Sequence, residues 1–397
     1  MSGEPMKSTE TTAATETTAT TATTATTGVN EPRESADHEL ARIRRRRRIR
    51  LAAGLTAGAA VVAGGLFWLS GGLQAWLHDR ALDSACEGTL AAGPVRELVG
   101  GADVTTETRT GRDFWQCRVS EADEVYEEDG RIDLRVTVSD AREGFATWEA
   151  AATDAPLGHG WTGGFAFDPD RERRGEATAS VLLDCGGAQG GGMVAEARAR
   201  IDRADFGRPE ARTELTAVLT RTATAYARQQ GCEVTEGAPV RKVDASVNAW
   251  DHEPFASVSG SCAGIVEPRT AARWGVRTAV ETGQGPKPVE GCTLGGLRGA
   301  PLYTFTASYG PALAWNEWRN LEDLADRPAG DAPDGRYVLW ADCRGAVDRA
   351  AYVVAPVSGT LGRGSDLTLD HQGLRTALSA FAARSAKAHD CTLTATD

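Results

Sequence analysis

"SVLLDCGG", residues 180–187, carries an apolar run onto a cysteine, and "YVLWADCRG", residues 337–345, does the same in the second half of the chain. The eight cysteines extend the match. Cys86, Cys117, Cys185 and Cys232 are separated by 31, 68 and 47 residues, and Cys262, Cys292, Cys343 and Cys391 by 30, 51 and 48. The outer intervals agree within one residue; the middle one is 17 longer in the first set. Before Cys232, Leu215, Val218, Leu219 and Thr222 fall on one helical face; before Cys391, Leu374, Ala377, Leu378 and Phe381 do so at a constant offset. "VTVSDAREGFATWEAAA" (136–152) likewise parallels "FTASYGPALAWNEWRNL" (305–321), with Trp148 matching Trp318. This agreement implies a tandem duplication.

Each copy predicts one plan. A cysteine precedes a short helix, and a strand runs toward the second cysteine. A further strand follows, such as "RIDLRVTV", whose Ile132, Leu134, Val136 and Val138 alternate with polar residues and so bury one face. A Trp-bearing helix, two more strands and a final amphipathic helix complete it. The fold class is therefore α+β: two tandem copies of an antiparallel sheet with packed helices, plus one N-terminal transmembrane helix. The expected boundaries are 81–234 and 257–397 for the copies, joined by a linker over 235–256.

Even numbers of cysteines at repeated spacing point to disulfides and an oxidising compartment. Four cysteines per copy permit three connectivities. Pairing first with second and third with fourth is the expectation, each bridge contributing roughly 3.5–4 kcal/mol on the chain-entropy model.

Upstream of all eight cysteines lies a different kind of sequence. Residues 1–50 are a Thr/Ala-rich tail without large apolar side chains to bury, and are expected to be disordered. The tail ends in "ARIRRRRRIR", containing Arg44, Arg45, Arg46, Arg47 and Arg48. Residues 51–77 follow with no charged side chain, long enough for one membrane-spanning helix. The arginines keep the N-terminus in the cytoplasm and direct the C-terminus outside. The apolar run exceeds a signal peptide's core, and the approach to Cys86 lacks a lipoprotein cleavage pattern, so a retained anchor in the lipid bilayer is expected.

The arginine-rich tail, the Ala/Gly-rich anchor and "ACEGTLAAGPVRELVGG" leading to "FWQC" resemble the exported single-pass membrane proteins of high-GC actinobacteria, of the Streptomyces type. Such families generally lack an assigned activity. The resemblance implies cell-membrane location and tandem extracytoplasmic domains, and transfers no site residues.

Chemistry is sparse. No P-loop, HExxH, GxSxG or CxxC pattern occurs, and no two of the six histidines share metal-ligand spacing. No cofactor, no metal and no catalytic residue is expected. The net charge of −12 becomes −14 once the basic first 50 residues are set aside, which argues against a nucleic-acid partner. The 17-residue surplus of the first copy falls mostly in "LGHGWTGGFAFDPDRE" (157–172), where His159, Trp161, Phe165 and Phe167 lie among glycines. A mobile aromatic loop of this kind is the expected binding edge, competing with a strand whose rings pack on the sheet. The overlapping "DPDRERRGE" stretch (168–176) lacks the glycine and terminal acid of a calcium loop and reads as a solvated turn. Binding or envelope assembly, with an envelope protein or ligand as partner, is the leading function. An envelope hydrolase with an inter-domain site and a sensor-type receptor are the alternatives.

Overall fold

The computed structural model describes residues 80–122, 132–141, 150–167, 175–186, 191–248, 250–314, 321, 334–357 and 369–394. The tail, Arg44–Arg48, the apolar run 51–77, Trp148, Trp318 and residues 168–174 lie outside the described residues. Among the described residues, no helix is long and apolar enough to cross a membrane. Residues 74–397 form one compact unit.

The first half begins with a tight turn, α1 (Ala85–Gly88), and α2 (Ala92–Val99). Its sheet is carried by β1 (Val104–Thr110), exposed at the edge, by β2 (Phe114–Glu121) and β3 (Ile132–Asp140), whose burial alternates, and, after a short hairpin, by β6 (Glu176–Gly186), buried through its middle. β7 (Gly191–Ile201) returns between β3 and β6, and α3 (Pro209–Gln229) then crosses the sheet, with β8 (Glu233–Val234) at its end. Ile132, Leu134, Val136 and Val138 all bury beneath α3's Leu215, Val218 and Leu219, the face that the helical spacing predicts.

The second half holds β9 (Glu253–Pro254), α4 (Pro268–Arg273), β10 (Thr278–Glu281), β11 (Val289–Gly295), β12 (Pro301–Tyr309), α5 (Pro311–Ala314), β13 (Tyr337–Asp342), β14 (Arg349–Pro356), α6 (His371–Ala388) and β15 (Thr392–Leu393). Leu374, Leu378 and Phe381 of α6 pack on Phe305 and Val354 of its sheet. Every strand pairing among the described residues is antiparallel, so the class is α+β. Strand order runs β1-β2-β3-β7-β6-β5-β4 with β8 also on β6 in the first sheet, where β4 is Ala155–Pro156 and β5 Thr162–Phe167, and β9-β10-β11-β12-β14-β13-β15 in the second.

The disulfides join Cys86–Cys117, Cys185–Cys232, Cys262–Cys292 and Cys343–Cys391, leaving no free cysteine. In each half one bridge pins the turn before the opening short helix to a strand of the sheet (β2 or β11), and the other pins a strand end to the residues just past the long helix. Gly231, before Cys232, has φ +79°, and Asp390, before Cys391, has φ +53°. Both long helices thus reach their cysteine through a left-handed residue, the usual device for ending a helix.

The surplus of the first half departs from the expected exposed aromatic edge. It forms a hairpin of β4 (Ala155–Pro156) and β5 (Thr162–Phe167), and β5 adds to the edge of β6. Phe165 is fully buried, 6.3 Å from Phe206 between ring centroids, and Phe167 packs half-buried beside it. Trp161 is buried too, and its Nε1 donates to the Ala238 carbonyl at 2.9 Å. Of the four residues only His159 is exposed. The rings belong to the core, because a strand of alternating register on an open sheet edge has one face to bury. Phe165→Ala should therefore lose about 3–5 kcal/mol in urea unfolding. Deletion of 157–172 should prevent the domain from accumulating; an unchanged melting temperature in the deletion would contradict this packing.

Candidate functional site

The hairpin does more than widen the first sheet. Residues 150–157 lie against the face of the second sheet that α6 leaves uncovered. On β11, Glu290, Cys292 and Leu294 point into the core under α6, while Gly291 and Thr293 point the other way. A Cβ on Gly291 would come within 2.4 Å of the Ala152 Cβ, so this crossing requires glycine. The linker expected over 235–256 follows the same hairpin. Ala238 N donates to His159 O, Val247 N to Thr153 O, and Ser246 Oγ bonds both N and O of Phe167. A second crossing seats Ala346 and Val347 on Leu182 and Val194 of the first sheet.

Lys287 stands at the centre of the junction. It sits between Pro286 and Pro288 and is 1% exposed. Its Nζ donates to Ala152 O at 2.8 Å, to Asp154 O at 2.7 Å and to Thr282 Oγ1 at 2.8 Å, which uses all three ammonium protons. Gly163 N donates to Pro286 O at 3.2 Å beside it. Asp154 is also buried, with its Oδ2 accepting Ala151 N–H at 2.9 Å. Burial pushes the Asp154 carboxyl up to about 6, opposed by the Ala151 hydrogen bond and the Lys287 charge and reinforced by Glu196. Burial likewise pulls the Lys287 ammonium down to about 8, against the attraction of Asp154 and Glu290.

Above this pair lies a cavity of about 220 Å³. Ala152, Thr153 and Val247 form one wall, and Thr293, Thr304 and Thr306 of β11 and β12 form the floor. Thr293 and Thr304 are direct cross-strand partners, as are Gly291 and Thr306. Glu281 stands at the edge, its two oxygens already accepting the N–H groups of Ser259, Gly260 and Cys262. Val247, Val280 and Phe305 complete the lining, so the chamber offers hydroxyls, main chain and apolar surface, with Glu281 as its one charged group.

A second polar cluster is buried under the second sheet. Glu290 accepts from Ser385 Oγ and bonds His389 Nε2 at 2.9 Å; Tyr309 bonds Ser385 and stacks on His389 with centroids 3.5 Å apart. Burial holds the Tyr309 phenol well above its ordinary value. Serine, histidine and glutamate are the residue types of acyl transfer, but Ser385 donates to the Glu290 carboxylate and not to the imidazole, so the serine–histidine contact of such a triad is not formed. In the first half the positions matching Glu290 and Ser385 by cysteine spacing are Trp115 and Tyr226, which stack at 4.5 Å. Among the described residues no group of three or more His, Cys, Asp or Glu gathers to hold a metal ion.

Sequence reasoning did not reach Lys287, Asp154 or the threonine floor. One signal was available: Lys287 is one of only four lysines in an arginine-rich chain and is bracketed by prolines. Removing it should be costly, because Lys287→Ala strands two carbonyls and a buried carboxylate. The expected loss is about 3–5 kcal/mol in urea unfolding at pH 7. A loss below about 1 kcal/mol, the range of exposed pairs, would show that the junction does not depend on it.

No family model, curated protein or solved structure matches the chain.

Proposed function

We propose that the chain is a single-pass cell-envelope protein, anchored through 51–77 with its N-terminus in the cytoplasm. Its exterior region is two copies of one domain that act together in binding or envelope assembly, without catalysis. The observation that carries this reading is the use of all eight cysteines in four disulfides, a pattern of oxidising compartments, in the region beyond the arginine and apolar runs. The duplication is supported by the shared strand order and the matched cysteine spacing. The binding site is the junction cavity, whose hydroxyl lining and committed Glu281 suit a small uncharged ligand that both donates and accepts hydrogen bonds. Partners are the bilayer and an envelope ligand or protein; the acidic exterior disfavours nucleic acid.

Two measurements test it. A reporter enzyme fused after Asp397 should be active only outside the cytoplasm, and activity inside would reverse the orientation. Residues 74–397 should show a melting shift with at least one member of a panel of neutral mono- and disaccharides and dipeptide amides. Thr306→Trp, which fills the cavity floor, should abolish that shift. A panel without effect on the unaltered protein, or with equal effect on both, would overturn the cavity as the site.

A further inference from the structure

The wall of the junction cavity is the turn 151–154, and it is fastened from two sides. From within, Asp154 Oδ2 accepts Ala151 N–H at 2.9 Å, and Asp154 N–H donates to Ala151 O at 3.1 Å. From the second half, Lys287 Nζ holds the carbonyls of Ala152 and Asp154. The residues between these fastenings, Ala152 and Thr153, line the cavity. Beyond the turn, Val247 N on Thr153 O ties the linker to the same wall, and Gly163 N on Pro286 O ties β5 to the Lys287 segment. A carboxyl group removed from water therefore sits at the foot of the cavity's one hairpin wall. We propose that this wall is a proton-operated gate: with Asp154 protonated the 150–157 segment stays seated on the second sheet, and with Asp154 ionised it lifts more readily and admits ligand. The gate regulates the cavity of the preceding subsection and rests on that reading only for its use.

The charges around Asp154 decide the sign. Glu196 faces it from β7, itself paired with Arg198; Lys287 faces it from the segment before β11; Glu290 acts on Lys287 from beneath the sheet. Burial outweighs the Lys287 attraction, which leaves the carboxyl raised from 3.8 to about 6. Lifting the wall returns it to water and to its ordinary value. Between pH 4 and 6 the seated form therefore holds more protons than the lifted form, and acid favours the seated form. Lys287, lowered to about 8, stays charged in both forms from pH 5 to 7 and adds almost no slope there. Above pH 8 it loses its proton more readily when seated, which tightens the junction again. The wall is loosest between pH 6 and 8.

Amide hydrogen exchange on ligand-free residues 74–397, corrected for intrinsic rates, reads the gate directly. The opening constant at Val247, whose N–H is held by Thr153 O, should be about tenfold lower at pH 5 than at pH 7, the ratio that a shift from 3.8 to about 6 produces. Amides in the middle of α3 should show no such ratio. In Asp154→Asn the ratio should vanish. Equal opening at the two pH values in the unaltered protein, or a ratio persisting in Asp154→Asn, overturns the gate. If Asp154→Asn does not fold, Glu196→Gln serves: loss of the neighbouring anion should move the midpoint to lower pH, and an unmoved midpoint overturns the proposal. Because no ligand is present, these outcomes are independent of the melting-shift test of the cavity.

Discussion

An ammonium group with all three protons spent on oxygen, two of them from the other half of the chain, is the constraint around which this molecule is assembled. Lys287 cannot be buried without acceptors, since an unpaired charge away from water costs several kcal/mol. The acceptors are main-chain carbonyls, whose positions depend on the turn 151–154 being folded as it is. That turn in turn requires Gly291 beneath Ala152 and the Asp154 carboxyl beneath Ala151. One cation thus couples a hairpin of the first half, a linker and a sheet of the second. The disulfides make no such link, because each closes within its own half.

Elements with a strong period were legible in the sequence. The alternation Ile132–Val138 and the helical faces of α3 and α6 each bury the residues that their spacing selects, because burial of one face is what creates the period. Cysteine spacing also carried the pairing, since the shorter intervals correspond to neighbouring positions in space. The hairpin was misread for a physical reason. Glycines among aromatics read as a loop, yet Gly163 is where β5 passes against Leu157 and Ser180 O with no room for a Cβ, and Gly164 passes closely over Asp154. Close approach and chain flexibility require the same residue, and only the neighbours distinguish them.

The junction was not legible at all. Its binding groups are backbone carbonyls, which no residue type announces, and one lysine and one aspartate 133 residues apart. Long-range pairs of that kind leave no periodic trace. The threonine floor was hidden for a related reason: Thr293, Thr304 and Thr306 occupy the polar beats of ordinary alternating strands, and alternation alone assigns them to solvent. What places a wall over them is the turn 151–154, just before the hairpin of the first half, together with Val247 of the linker.

The two halves bury different chemistry beneath their sheets. Under the first sheet Trp115 and Tyr226 stack; at the positions matched by cysteine spacing under the second, Glu290 and Ser385 share a hydrogen bond with His389 and Tyr309 nearby. An aromatic pair contributes area and is indifferent to pH. A carboxylate network contributes direction, and it must be satisfied by specific donors, because a buried acceptor left unmatched costs about 1–3 kcal/mol. The second half therefore depends on more exact neighbours than the first. Glu290 also acts on Lys287 through the sheet, so the polar core and the junction share one electrostatic environment. The network under the sheet helps to keep the Lys287 ammonium charged at the pH where Asp154 titrates. With its cation held constant, the junction responds to acid through a single carboxyl group.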